Sequence, residues 1–356
     1  MRILDANANR AAEGFRTLEE TARFALNSVK LSAQFKSLRH MFAEATSRLP
    51  RRELLEARDT VGDVGTTMTT PSEQQRDSTS SIVAAAAART QQALRCLEEY
   101  GKTINADFAT DIEQIRYRTY DACAQLELLS MAGCDRRARL QGARLYALLD
   151  AAATEQEMVQ RIHCLAAAGV DIIQLRDSRV NDRTLYTRAV AGQHAAREHG
   201  VLWIINDRAD IAAAADADGV HVGQEELPVE QVRRVVGVEK IVGLSTHNMQ
   251  QVSEALASTA DYIGCGPVFP GHTKTFAEFP GCEFLRAVRD HFLSQQGSDL
   301  SPVAFAIGGI TTRNVGEITA AGFGRIAVTG ALAEGTIATN AAALRQALAH
   351  IPLSTI

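Results

Sequence analysis

Along the first third of the chain, apolar residues recur every three to four positions. Phe15, Leu18, Ala22 and Leu26 fall on one face, as do Phe35, Leu38, Phe42, Ala45 and Leu49, and later Ile112, Ile115, Ala122, Leu126 and Leu129. This is the period of amphipathic helices. It predicts four long ones, near 5–27, 32–56, 73–104 and 108–131, with the Gly/Thr-rich loop RDTVGDVGTTMTTPSE between the second and third. The pattern also repeats. NRAAEGFRTLEE (9–20) realigns on ARTQQALRCLEE (88–99), so that Arg10, Arg16, Leu18, Glu19 and Glu20 meet Arg89, Arg95, Leu97, Glu98 and Glu99. Internal similarity implies two related helical units packed together. Asn7, Asn9 and Glu13 correspond to Ala86, Ala88 and Gln92, so only the first copy keeps these polar groups.

The segment AGCDRRARLQGA (132–143) is polar and basic and has no period; 136–142 reads as a linker between an all-helical domain, 1–135, and a second domain, 143–356. Beyond it, short apolar runs alternate with helical stretches: RLYALL, VDIIQLR, VLWIIND, GVHV, KIVGLS, DYIGCG, VAFAIGG and RIAVTG. Alternating strand and helix with parallel-type buried strands implies an α/β domain. Eight such units in this length predict a (β/α)8 TIM barrel preceded by a separate all-α domain. An open doubly wound sheet is the alternative, but the G-x-G-x-x-G that usually follows its first strand is missing.

Composition narrows the partners. The 356 residues carry a net charge of −5, which offers no electrostatic reason for nucleic acid or an anionic membrane. Six cysteines show no C-x-x-C and no dense framework, a pattern that suits reduced thiols in a cytoplasm. The N-terminus has no apolar core of signal-peptide length, and no run is long enough to span a membrane. Cytoplasmic localisation is expected, and a homo-oligomer is left open.

In a barrel, chemistry gathers where strands end. Here the ends are polar or glycine: Gln174 and Arg176 after the second strand, Asn206 and Asp207 after the third, Gln224 and Glu226 after the fourth, Ser245 and His247 after the fifth. The sixth opens into the loop GPVFPGHTKTFAEFPG with Thr273 and Lys274; the seventh ends in Gly308–Gly309 and the eighth in Thr329–Gly330. Taken singly, each has a plainer reading. Asn206–Asp207 reads as a helix N-cap, Arg176 with Asp177 as a surface pair, Gly308–Gly309 as a tight turn, His221 as a packed or hydrogen-bonded residue, and His247 as a turn residue. Their convergence on one rim is what points to a site.

The set has a charge logic. Arg176 and Lys274 suit phosphate oxygens. Asp207 and Glu226 are hard oxygen ligands suited to Mg²⁺, which takes one or two carboxylates plus substrate phosphates. The glycine turns after the last two strands offer backbone N–H groups to a second phosphate. Two phosphorylated substrates are therefore expected, one of them a metal-bound diphosphate. No nucleophilic triad and no lone strand-end Lys of Schiff-base type is evident, so pyrophosphate displacement fits better than acyl transfer or aldol chemistry.

The ordered string QLRD, IIND, GVHVGQEE, GLSTH, GCGPVFPGHTK, AIGGI resembles thiamine phosphate synthase over about residues 143–348. That family joins hydroxymethylpyrimidine diphosphate to thiazole phosphate and releases pyrophosphate. The resemblance implies that Gln174 touches the pyrimidine and that Arg176, Asn206 and Lys274 hold the diphosphate. Asp207 and the acidic residue of GQEE, Glu226, would bind Mg²⁺. Ser245 and Thr273 would contact polar groups of the substrates, and Gly309 with Thr329–Gly330 would bind thiazole phosphate. The loop around 266–281 is then expected to close over the diphosphate, with Lys274 and Thr273 at its tip. Four positions depart from the pattern. Ser178 stands where the family has Lys, Glu226 where it has Asp, Gly271 where Thr is common and Gly330 where Ser is common. A thiazole tautomerase-like barrel, with the helical half as a docking or dimerisation module, is the alternative.

RILDANANRAAEGFRTLEETARF, RDTVGDVGT and ALRCLEEYGK look like the helical domain fused ahead of some thiamine phosphate synthases, linked to phosphorylation of hydroxymethylpyrimidine phosphate. The resemblance implies ATP as a possible donor. Asn7, Arg10 and Glu13 lie at i, i+3 and i+6 and are expected on one helix face, and Arg58, Asp59 and Asp63 sit in a glycine-bearing loop; together they offer the cations and carboxylates a kinase needs. No G-x-x-x-x-G-K-[ST] is present, which excludes a P-loop kinase.

Overall fold

The computed structural model describes residues 1–26, 28–63, 76, 78–270, 279–294, 302–333 and 337–353, the side chain of Cys134 excepted. The chain divides into two units, Met1–Cys134 and Asp135–Ile356. No helix among the described residues is long and apolar enough to cross a membrane.

The first unit is helical: α1 (Arg2–Glu20), running into a π-turn at Thr21–Ala25, then α2 (Val29–Thr46), α3 (Arg51–Glu56), α4 (Thr79–Gly101) and the part of α5 (Ala106–Gly142) up to Cys134. The single second helix expected over 32–56 is two helices, because Pro50 cannot continue the first and stands at the N-cap of the next. The two sequence copies are α1 and α4, packed against each other. The approach is close: a Cβ on Gly14 would fall 2.0 Å from Thr90 Oγ1. Each copy also buries the first glutamate of its Leu-Glu-Glu run against an arginine of the helix that follows. Arg39 Nε donates to Glu19 at 2.6 Å, and Arg116 Nε to Glu98 at 2.6 Å. The repeat is thus a helical hairpin whose glutamate is buried in both copies and whose arginine is buried in the second and half-buried in the first. Only the outer pairs, Arg16–Glu20 and Arg95–Glu99, are the solvated bridges expected of a helix surface.

The second unit is a closed parallel barrel in the order β1 to β8. Its elements are β1 (Leu145–Leu149), α6 (Glu155–Ala167), β2 (Ile172–Leu175), α7 (Asp182–Glu198), β3 (Leu202–Asn206), α8 (Ala209–Ala214), β4 (Gly219–Val222) and α9 (Val229–Val236). β5 (Ile241–Thr246), α10 (Met249–Leu256), β6 (Tyr262–Cys265), α11 (Gly281–Ser294), β7 (Val303–Ile307), α12 (Val315–Ala320), β8 (Ile326–Val328) and α13 (Ile337–Leu348) complete it. Period-two alternation sorts the side chains. Leu145, Ala147, Ile173, Trp203, Ile205, Val220, Val242, Ile263 and Ala304 pack outward on the helices. Tyr146, Leu148, Ile172, Leu202, Ile204, Ile241, Tyr262, Val303, Phe305 and Ala327 fill the interior.

The start of the even strands carries a recurrent clasp. Asp171, before β2, accepts from the Leu145 N–H at 2.9 Å; Asp218, before β4, from the Trp203 N–H at 3.0 Å; Asp261, before β6, from the Val242 N–H at 2.8 Å. These carboxylates explain what became of the expected linker. Residues 136–142 are helical, the last turns of α5. Arg136 pairs with Asp218 at 2.9 Å, Arg137 with Asp261 at 3.1 Å, and Leu140 joins the interior cluster. A basic segment without apolar period is held as helix by carboxylates at the strand starts, a tertiary cause that local pattern does not contain.

Candidate active site

A cavity of about 1410 Å³ opens at the C-terminal ends of the strands. Gln174, Arg176, Asn206, Asp207, Glu226, Ser245, His247, Gly309, Thr329 and Gly330 all line it. Strand pairing aligns the contributors: Gln174 lies beside Leu148 and Ile204, Asn206 beside His221, and Ser245 beside Gly264. Gly271, Thr273 and Lys274 lie outside the described residues.

The plainer readings of several residues fall away. Helix α8 starts at Ala209 with Arg208 as its N-cap and no side-chain cap bond, so Asn206 and Asp207 do not cap it. Instead the Asn206 amide donates to Asp207 Oδ2, and Asp207 is held at φ 63°, a left-handed backbone that costs a non-glycine residue strain. Its N–H donates to the His221 carbonyl at 2.7 Å. Asp177 does not pair with Arg176. It takes Arg179, through Nε at 2.9 Å and Nη2 at 2.8 Å, and that guanidinium holds its carboxyl down to about 2. Arg176 therefore stays on the cavity wall, with no carboxylate in ion-pair range among the described residues. Arg179 does not replace the cation missing at Ser178, because Asp177 and Asp150 occupy it.

The cavity floor holds a hydrogen-bonded chain that the sequence did not reveal. Gln174 Nε2 donates to the Tyr146 hydroxyl at 2.7 Å, the Tyr146 and Tyr262 hydroxyls meet at 2.8 Å, Tyr262 reaches His221 Nδ1 at 3.0 Å, and His221 Nε2 meets Ser245 Oγ at 2.9 Å. One polarity satisfies every link: each hydroxyl passes its proton to the next, and His221 accepts at Nδ1 and donates at Nε2. Burial pushes both phenols well above their usual value, so both remain neutral. Tyr146 and Tyr262 sit inside apolar strand runs, where a tyrosine looks like any core aromatic. Inward strand parity was the available signal. Arg313 and Asn314, after β7, also line the cavity and were not singled out from sequence.

The far end of the cavity is shaped by glycine. Gly308 (φ 104°) and Gly309 (φ 62°) turn against the 267–270 segment, and a Cβ on Gly309 would fall 2.5 Å from the Pro270 carbonyl oxygen. After β8, Gly330 opens a 3₁₀ turn, Gly330–Leu332, whose first N–H groups have no intrahelical acceptor. A Cβ at Gly330 would meet open space.

The donor set fits a hard divalent cation. Asp207 and Glu226 are carboxylates that both line the cavity, and Glu226 Oε2 folds so closely over Gly223 that a Cβ there would fall 2.4 Å from it. Glycine at 223 thus leaves the cradle in which this carboxylate lies. All-oxygen ligation by two carboxylates with room for a substrate is the arrangement Mg²⁺ takes.

In the helical unit the candidates are less gathered. Asn7 is buried and its amide donates to the Ile3 carbonyl at 2.8 Å, whereas Arg10 and Glu13 are exposed, so the three do not share one face. Three-residue steps walk around a helix of 3.6 residues per turn, and two of them carry Glu13 out of Asn7's face. Arg58 is clasped by Asp5 through two bonds at 2.8 and 2.7 Å, which lowers the Asp5 carboxyl below its ordinary value. Asp59 accepts from the Gly62 N–H at 2.8 Å, and Asp63 is exposed.

Comparison with known proteins agrees with this architecture. Residues 145–332 match the family described as thiamine monophosphate synthase, and residues 2–125 match the ThiD2 family. A thiamine-phosphate synthase of Rhodopirellula baltica is 55% identical over 99% of this chain and 94% of its own. One of Synechocystis sp. is 38% identical over 96% of this chain and 94% of its own. Among solved structures, thiamine phosphate pyrophosphorylase from Pyrococcus furiosus superposes with a TM-score of 0.51 at 29% identity, covering 60% of this chain and 98% of that one. A barrel with this rim, preceded by a ThiD2-like helical unit, places the chain in the thiamine monophosphate synthase family.

Proposed function

We propose that the barrel joins hydroxymethylpyrimidine diphosphate to thiazole phosphate with release of pyrophosphate, and that the helical unit makes the diphosphate by phosphorylating hydroxymethylpyrimidine phosphate with ATP as donor. The observation that carries the barrel reading is the single cavity lined by Gln174, Arg176, Asn206, Asp207, Glu226 and Ser245 from β2 to β5 and by Gly309 and Gly330 after β7 and β8. That is one wall for a diphosphate and one for a phosphate. The kinase reading rests on the ThiD2 match over 2–125 and on the fit between its product and the barrel's substrate.

In this mechanism Gln174, oriented by Tyr146, holds the pyrimidine. Arg176 and the Asn206 amide take the diphosphate oxygens. Asp207 and Glu226 would hold Mg²⁺, which when bound neutralises charge on the leaving pyrophosphate. The bond between the pyrimidine methylene and the diphosphate oxygen breaks, and its electron pair leaves with pyrophosphate. The thiazole nitrogen gives its lone pair to the resulting cation, which yields the thiazolium of thiamine phosphate, and no proton transfer is required. Ser245, tied through His221 to the tyrosine pair, is placed to give a hydrogen bond at the pyrimidine end. Most of the rate enhancement in such a site comes from positioning and preorganised charge.

The test uses the full chain in two tubes, both with thiazole phosphate and Mg²⁺. One holds the pyrimidine monophosphate with ATP, the other the pyrimidine diphosphate. Thiamine phosphate is expected from both, and its loss on chelating the metal is expected in each. Product only from the diphosphate would refute the kinase assignment. Product from neither, or an Arg176→Ala variant with unchanged turnover, would refute the barrel assignment.

A further inference from the structure

The outer wall of the barrel carries a cluster that the proposed reaction does not use. His163, on α6, faces His199, the residue that ends α7, and Glu198 precedes it. One ligand atom from each lies within 4.8 Å of the other two. His163 Nδ1 and His199 Nε2 are 2.8 Å apart, with the rings edge to face at 5.0 Å between centroids. None of the three lines the cavity.

We propose that His163, Glu198 and His199 form a binding site for a divalent transition-metal ion that clips α6 to the end of α7. Two imidazoles and a carboxylate are a donor set for first-row ions of the copper, nickel and zinc group. Geometry selects among them. At metal–nitrogen bonds of about 2.05 Å, nitrogens this far apart subtend roughly 86° at the metal. That is the angle between neighbouring positions of a square-planar or octahedral ion such as Cu²⁺ or Ni²⁺. Tetrahedral Zn²⁺ would need the nitrogens about 3.3 Å apart, an opening of about half an ångström.

Two backbone features support the site. His199 sits in a complete Schellman cap: the Val201 N–H bonds to the Ala196 carbonyl at 3.0 Å and the Gly200 N–H to the Arg197 carbonyl at 3.2 Å, with Gly200 at φ 66°. The backbone of one ligand is therefore held before any ion arrives. The cluster also lies at the C-terminal end of a 17-residue helix, where the helix dipole favours positive charge. Arg139 already uses this end, donating to the Gly200 carbonyl at 2.7 Å through a different atom from those the metal would take. Without a metal the His–His contact is a hydrogen bond, in which one ring gives N–H and the other a lone pair. A metal that binds both lone pairs replaces that bond.

The deciding measurement is calorimetric titration of Ni²⁺ or Cu²⁺ into the full chain, freed of any affinity tag and metal-stripped, with excess Mg²⁺ present to occupy oxygen-only sites. One equivalent is expected to bind. His163→Ala and His199→Ala should each weaken binding at least tenfold, and His350→Ala should leave it unchanged. The melting temperature should rise with the ion in the wild type and not in His199→Ala. Absence of binding by the wild type, or binding by the two cluster variants as tight as the wild type's, overturns the proposal. Both side chains are partly or fully exposed, and Glu198→Gln offers a variant that keeps the rings and removes only the anionic ligand.

Discussion

Replacing Tyr146 with Phe probes the cavity floor at its centre. The ring would keep its edge contact with Phe305, at 5.5 Å between centroids, so little apolar packing is lost. What goes is one oxygen with two partners. Gln174, 2% exposed, loses the acceptor of its Nε2 at 2.7 Å, and Tyr262 loses the hydroxyl at 2.8 Å while keeping His221. A buried amide stranded without a partner costs roughly 1–3 kcal/mol, and the lost neutral bond adds about 1 kcal/mol. The variant should therefore be destabilised by about 2–4 kcal/mol. Trp203, the single tryptophan, is fully buried in β3, so urea unfolding followed by its fluorescence reports on the barrel. Tyr262→Phe should cost a similar amount, and the double variant about 1 kcal/mol less than the sum, because the two singles share one hydrogen bond. Both phenols are raised by burial, so their contribution is fully present below the unfolded tyrosine value near 10 and is lost only as pH rises above it. In turnover, loosening Gln174 should raise the KM for the pyrimidine substrate more than it lowers kcat. A Tyr146→Phe barrel within about 0.5 kcal/mol of wild type, or fully additive singles, would refute the chain as a satisfied network.

Four other substitutions test separate parts of the molecule. Glu98→Ala leaves Arg116 buried without its carboxylate and should cost about 3–5 kcal/mol in thermal unfolding followed by circular dichroism; a loss below about 1 kcal/mol would contradict the buried hairpin pair. Asp177, held to about 2 by Arg179, contributes stability that is present above the unfolded value near 4 and lost as pH falls through 2. Asp177→Asn should flatten that part of the acid limb, and an unchanged urea midpoint profile between those values would count against the pairing. Gly309→Ala forces a Cβ to 2.5 Å from the Pro270 oxygen at φ 62°, at a cost of about 1–3 kcal/mol, whereas Gly330→Ser meets open space and should fold normally. If the added hydroxyl reaches the phosphate, the KM for thiazole phosphate falls about fivefold, as one hydrogen bond of about 1 kcal/mol requires; equal stability losses in the two variants would sink the distinction.

By itself the sequence determined the two kinds of structure and their order. Helical period in Phe15, Leu18 and Ala22 and strand runs such as VDIIQL and DYIGC are local properties of the chain, because side-chain direction follows backbone period. The polar strand ends were legible for the same reason: Gln174, Asn206 and Ser245 interrupt apolar runs where no core needs them. The repeat was legible too, though not that Glu19 and Glu98 would be buried, since burial depends on Arg39 and Arg116 arriving from the next helix. Only the tertiary structure decided which charges pair. Asp177 chose Arg179 over its neighbour Arg176; Arg136 and Arg137 found Asp218 and Asp261 and turned an apparent linker into helix; Arg58 closed on Asp5. It alone brought Tyr146, Tyr262 and His221 into one chain, and His163 against His199. Apart from Asp177–Arg179, these contacts join residues far apart in sequence, and their partners are set by closure of the barrel and packing of the hairpins, which no local pattern encodes.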